Sequence, residues 1–293
     1  MERRWVGSAE HKRLLCEEFV RTHRAFEPED IRWPDLDAEG LRRLKALPIW
    51  NEAIKTEAFT ALEVQTLGRV ESDPVLAGAI DLQGYEEGRH AAILRLLTNH
   101  YGIPVDPFDP PQPPEDPLWA FMSTGYAECL DSFFAFGLFA MGKRSQYFPA
   151  ELIDIFDPIM QEEARHILFI VNWAASLRAR TAAALRPVFD ARRAWTIGKQ
   201  LIGHARMATR MGGDESQQGF TMNHGAFGEL SARSFLELCL AENDRRLAPY
   251  DARLLRPTLV PSSVRFALRF LSPNSASVGA EPAEPPQAPA PSP

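Results

Sequence analysis

Between residues 101 and 117 the chain reads YGIPVDPFDPPQPPEDP, seven prolines in seventeen positions. Proline lacks an amide hydrogen and fixes φ, so this segment forms neither a helix nor a central strand. Extended at about 3.1 Å per residue, it spans roughly 50 Å. A helix of about 25 residues is only about 38 Å long, so the segment can run the length of one helix and start the next at the far end. Helical periodicity dominates on both sides, whereas sustained period-two alternation and Asn-Gly or Asp-Gly hairpins are missing. The expected helices cover about 8–25, 49–70, 75–100, 117–141, 149–178, 182–211 and 229–247, with Pro158 bending the fifth or ending a short leading turn. Two hairpins joined by a long crossover between the second and third helices make an all-α four-helix bundle. As separate units, each hairpin would expose an apolar face. The predicted organisation is a single helical domain over 1–271, with the bundle at about 45–180 and extra N- and C-terminal helices around it. Residues 272–293, rich in Pro, Ala and Ser, have too little apolar content to fold and are expected to form a disordered tail.

Composition removes several classes of function. A net charge of −7 disfavours nucleic acid, whose phosphates need a basic surface. The three cysteines, Cys16, Cys129 and Cys239, form no CxxC, so zinc-ribbon and rubredoxin-like sites are out of reach. Their sparse, odd number suits a reducing compartment. The N-terminus carries no apolar stretch of signal-peptide length. The longest apolar run, SFFAFGLFAM at 132–141, is far short of the ~18 residues a membrane span needs. A cytoplasmic protein is expected.

One phrase occurs twice. EEGRH begins at Glu86 and EEARH at Glu162, each running directly into an apolar stretch. With 24 Glu and seven His in 293 residues, chance supplies roughly half an ExxH match, and the longer shared phrase is much rarer. Residues three apart share a helix face. Glu87 therefore lies beside His90, and Glu163 beside His166. Glu86 with Arg89, and Glu162 with Arg165, form a second stripe about 100° away, expected to be ion-paired and turned aside. Carboxylates facing a core need cations. A Glu-x-x-His from each of two helices is half of a dinuclear carboxylate site, which also takes one Glu from each of the other two helices. In the first hairpin, Glu57 and Glu87 lie equally far from the turn near Ser72, whereas Glu63 sits about 9 Å off that level. In the second, Glu128 pairs with Glu163 about the KRSQYFPA turn; Asp131 shares its face and is the fallback ligand or a supporting group.

The set Glu57, Glu87, His90, Glu128, Glu163 and His166, read as KTEAF, EEGRH, YAECL and QEEARH, resembles the ferritin-like di-iron carboxylate superfamily with its E…ExxH…E…ExxH pattern. The likeness covers about 50–178 and is specific for the site, weak for any one member. It implies two iron ions, or a manganese–iron pair, bound by those six residues, and O2 as co-substrate. The implied activity is that of an oxidoreductase, an oxidase or oxygenase that hydroxylates, desaturates or otherwise oxidises a small or carrier-bound organic molecule. The extra helices and Phe133, Phe134, Phe136 and Phe139 beyond Glu128 favour that reading, with electrons from the substrate or a separate donor. The alternatives are iron oxidation, storage or peroxide detoxification of the ferritin or rubrerythrin kind, and a non-catalytic helical binding protein. A monomer or homodimer would suit the enzyme, a many-subunit cage storage. Of the other features, the arginines and lysine of 178–210 are read as a solvated face that could dock an acidic partner, and His204 as a structural histidine. Cys129 is read as an inert thiol, and 259–271 as an apolar, basic segment that packs back on the bundle or seeks a membrane surface.

Overall fold

The computed structural model describes residues 5–213 and 231–271. Every regular element among them is helical: α1 (Ala9–Arg21), α2 (Ala38–Lys45), α3 (Trp50–Val70), α4 (Pro74–His100), α5 (Pro117–Ser145), α6 (Ala150–Arg180), α7 (Arg186–Gly213), α8 (Ala232–Leu247) and α9 (Leu259–Ala267), with short 3₁₀ turns at Pro28–Asp30 and Ala183–Leu185. No helix of the described residues is long and apolar enough to cross a membrane.

The helix starts follow from local chemistry. Asp73 and Asp116 each place a carboxylate on the first free amides of α4 and α5, at Val75 and Trp119, with proline in the next position. There the missing N–H costs nothing and the fixed φ already suits a helix. Ser8, Asp37 and Ser231 cap α1, α2 and α8 in the same way. α6 runs through Pro158 without a break. α1 stops four residues short of its expected end. The Thr22 hydroxyl donates to the Glu18 carbonyl, and the chain turns there so that His23 reaches Glu86. The eight-residue α2 and the nine-residue α9 were not foreseen as helices.

α3 and α4 form one hairpin, α5 and α6 a second; α3 packs on α5 and α4 on α6. Two glycines allow the close approaches. A Cβ on Gly84 would stand 2.7 Å from Gln65 Cγ and 3.2 Å from its backbone nitrogen, and one on Gly125 would lie 2.8 Å from Ile170 Cδ1. The core between the hairpins holds Val64, Ile80, Ile93, Phe121, Phe136, Phe169 and Trp173, all buried. Burying one such side chain is worth about 1.5–3 kcal/mol. α1 covers α4 and α6, α8 lies on α5 and α6, α7 on α5, and α9 on α5 and α8.

The segment after α4 first pairs with the start of α3. Asn51 Nδ2 donates to Asp106 at 3.0 Å, and Asp106 N donates back to Asn51 at 2.8 Å. Phe108 then lies against Phe59, two turns further along α3, with ring centroids 6.4 Å apart. α9 seats Val260, Pro261 and Val264 on the bundle, the packing-back expected for this segment. Its Phe266 and Phe270 face outward at 59 % and 73 % exposure. The tail at 272–293 and the side chain of His204 lie outside the described residues.

Candidate metal centre

Four helices deliver six side chains to one place. α3 brings Glu57, α4 brings Glu87 and His90, α5 brings Glu128, and α6 brings Glu163 and His166. One potential ligand atom from each of Glu57, Glu87, His90 and Glu163 lies within 4.8 Å of the others, and the same holds for Glu87, Glu128 and His166. Glu87 belongs to both groups. His90 Nδ1 is 3.1 Å from Glu163, 3.6 Å from Glu57 and 3.8 Å from Glu87. His166 Nδ1 is 2.9 Å from Glu87 and 3.9 Å from Glu163. Each imidazole thus sits closer to the glutamate of the opposite helix than to its own i−3 partner. Glu63 stays outside the cluster, accepting a hydrogen bond from the Thr124 hydroxyl. Asp131 is in neither group, and lines a cavity on the α3–α5 side.

The second stripe is not turned aside. Glu86, Arg89, Glu162 and Arg165 are all buried, and they pair between helices. Arg89 Nη2 donates to Glu162 at 2.6 Å, while its distance to Glu86 on its own helix is 4.0 Å. Arg165 donates to Glu86. The same two carboxylates hold the imidazoles: His90 Nε2 is 2.9 Å from Glu162, and His166 Nε2 is 2.8 Å from Glu86. The stripe lies between α4 and α6 because those helices face one another, so the first glutamate of each phrase reaches the arginine and histidine of the other. The segment around α1 closes this layer. Phe19 O accepts from Arg165 at 3.1 Å, Arg24 O and Phe26 O accept from Arg89, and the guanidinium of Arg89 lies 4.0 Å over the Phe26 ring. His23, Glu86 and Glu162 also converge, but the two arginines already occupy their carboxylates. Gln83 donates to Glu87 at 3.3 Å, and Ser132 to Glu163 at 3.4 Å. The repeat itself carried the signal for this exchange, since two copies of one phrase on facing helices are related by an approximate two-fold.

The tautomers follow. A carboxylate can only accept, so each Nε2 carries a hydrogen and each Nδ1 presents its lone pair to the cluster when the ring is neutral. Both Glu128 oxygens are buried without a hydrogen-bond partner, and each Nδ1, though 2.9–3.1 Å from a carboxylate, makes no well-aligned hydrogen bond, a costly arrangement in the absence of a further group. Burial raises the Glu57 pKa to about 8, with the neighbouring Glu87 and Glu163 adding to it and His90 opposing. Burial, then Glu87 and Glu163, hold Glu128 well above the usual carboxylate range. Burial alone would lower the two histidines. The carboxylates of Glu162, Glu163 and Glu57 raise His90 far above its ordinary value, and Glu87 and Glu86 do the same for His166. The cluster therefore holds protons, in a grouping of side chains that could instead hold a cation.

On the α3–α5 side, a cavity of about 200 Å³ reaches Glu128, lined by Thr60, Glu63, Thr124, Asp131 and Gln200 among others. The Glu57 side chain is 24 % exposed, against 1–11 % for Glu87, His90 and Glu163. The phenylalanines beyond Glu128 take no part in this cavity. Phe133 and Phe136 are buried in the packing, Phe134 lies against Phe235, and Phe139 against Phe156. Cys129 faces away from the cluster, and burial pushes its thiol up to about 12. No family model matches the chain, and neither do any curated protein or solved structure with which it was compared.

Proposed function

We propose that the chain is a ferritin-like di-iron, or manganese–iron, carboxylate protein that uses O2 to oxidise a small organic substrate. The observation that carries this reading is the pair of buried imidazole Nδ1 atoms and the unpartnered Glu128 carboxylate around a shared Glu87. Inward-facing imidazole nitrogens and carboxylate oxygens, a nitrogen–oxygen set, suit iron or manganese. Four carboxylates balance two divalent cations, which makes their burial tolerable. The contacts of the proline segment, from Asn51 to Phe59 along α3, support the long crossover of that bundle type.

In this reading Glu57, Glu87, His90 and Glu163 would hold one ion, and Glu87, Glu128 and His166 the other. A bound pair of iron ions supplies the redox electrons and open coordination positions for O2. The protein does the rest. Glu86 and Glu162 fix both rings with Nδ1 inward, Arg165 and Arg89 pair with those two carboxylates, and α1 excludes water from that side. The cavity at Glu128 is the approach for substrate, with Phe59 and Ala127 as apolar wall and Thr60, Thr124 and Gln200 as polar groups to orient a small molecule. The same wall supports a second reading. Glu52, Glu63 and Asp131 around that opening, outnumbering its one cation Lys55, suit entry of Fe²⁺ itself, hence iron oxidation or storage. Metal analysis of protein purified without added iron tests the site: about two ions per chain are expected, and none would end the proposal. O2 uptake that rises with added Fe²⁺ alone, in a many-subunit particle, would select the second reading; uptake dependent on an organic extract, in a monomer or dimer, the first.

A further inference from the structure

A second cavity lies on the other side of α5, between α5, α6, α7 and residues 256–260, with a volume of about 110 Å³. Its walls are mainly apolar, from Leu130, Val171, Ile197, Leu259 and Val260, but two arginines and a tyrosine interrupt them. Arg193 Nε and the Tyr126 hydroxyl are buried without a hydrogen-bond partner, although the guanidinium sits 5.8 Å from the centre of the Tyr126 ring. Arg256 is pinned by backbone carbonyls, those of Tyr250 at 2.8 Å, Asp251 at 3.2 Å and Leu254 at 3.3 Å. Among the described residues, no carboxylate lies within ion-pair distance of Arg193 or Arg256. Arg193 Nε and the Tyr126 hydroxyl are thus donors without an acceptor in a mainly apolar chamber, beside an Arg256 whose Nη atoms the backbone holds in place, and a buried donor without a partner is costly.

We infer that this cavity binds a small organic carboxylate, its head group held by Arg193, Arg256 and Tyr126 and its apolar body between α5, α6 and α9. A cavity of about 150 Å³ holds benzene, so the head and a few carbons fill this one. A longer tail leaves between Leu201 and Leu259, which are 45 % and 53 % exposed at its rim. A phosphate without an apolar body would leave those walls uncovered. The inference does not depend on the metal reading, because the lining residues are distinct from the six ligand candidates.

Calorimetric titration of the purified full chain with hexanoate, benzoate, hexanamide and hexylamine tests it. Hexanoate and benzoate should bind, with the neutral amide and the amine at least about tenfold weaker, the scale of a charge-assisted hydrogen bond. Arg193→Gln and Tyr126→Phe should each weaken hexanoate by about tenfold or more, and Tm measured on each variant separates lost binding from lost folding. No binding of either acid at millimolar concentration overturns the inference, and so does equal binding of hexanamide. Binding that survives both variants but disappears in Glu128→Ala would place the acid on the carboxylate cluster, and would likewise overturn it.

Discussion

Glu162 and Glu163 are neighbours in the chain and serve opposite sides of one imidazole. Glu163 lies 3.1 Å from His90 Nδ1, inside the cluster, while Glu162 sits 2.9 Å from His90 Nε2 and also takes Arg89 at 2.6 Å. Substitutions at the two positions should therefore fail differently. Glu163→Gln or His166→Ala removes a ligand and should abolish tight metal binding. Glu162→Gln leaves the ligands in place but frees the His90 ring and strands Arg89, so metal affinity should fall by about 10–100-fold and stability by about 3–5 kcal/mol. Glu63→Ala should leave metal content intact. Metal content by elemental analysis, with urea denaturation alongside, separates the cases; equal metal loss in Glu162→Gln and Glu163→Gln would contradict the two-layer assignment. The six inward residues were legible because helical spacing and hairpin register are rigid rules. The cross-helix partners were not, because spacing along one helix pairs Glu86 with Arg89, and only the facing helix reveals that Glu162 is the nearer acceptor.

At the scale of the element, ligand positions depend on how closely helices approach. Gly125 stands one helical turn before Glu128, and the side chain it would meet, Ile170, is fully buried on α6 and cannot swing away. Gly125→Ala should push α5 off α6, costing about 1–3 kcal/mol, and should carry Glu128 away from Glu87 and His166, weakening metal binding. Gly78 on α4 has nothing within 4 Å. Gly78→Ala should accordingly stabilise by about 0.5–1 kcal/mol and leave metal affinity alone. Thermal denaturation with metal titration checks both, and a harmless Gly125→Ala would show that the packing is looser than the contact implies. The long helices were readable from the sequence because Asp-Pro at 73–74 and 116–117 is an explicit start signal. α2 escaped because eight residues give too little periodicity, although Asp37 caps it. α1 was read too long because its end is set by a tertiary contact, His23 on Glu86, which local patterning cannot register.

Across the whole molecule, the cluster ties stability to pH. In the metal-free protein His90 and His166 titrate well above 6.5, so the stabilisation they confer is complete below about pH 6.5 and is lost as pH rises through their folded values. Glu57, raised to about 8, and Glu128, also raised, retain protons that the unfolded chain gives up near 4.5. Both therefore destabilise the fold progressively as pH climbs from about 4.5. Glu86 and Glu87 shift downward and are ionised in both states above about pH 5.5, so they add no slope there. His11, lowered by burial, opposes with a single group against four. The metal-free protein should thus lose stability between about pH 5.5 and 8.5. On the proposed reading, metal binding would displace the same protons, so affinity should rise over that interval, and the Tm gap between metal-loaded and chelator-treated protein should widen with it. Scanning calorimetry at several pH values, with and without chelator, measures both. A metal-free Tm that rises with pH, or a gap that narrows, would mean that the buried carboxylates and imidazoles are not sharing protons in place of cations.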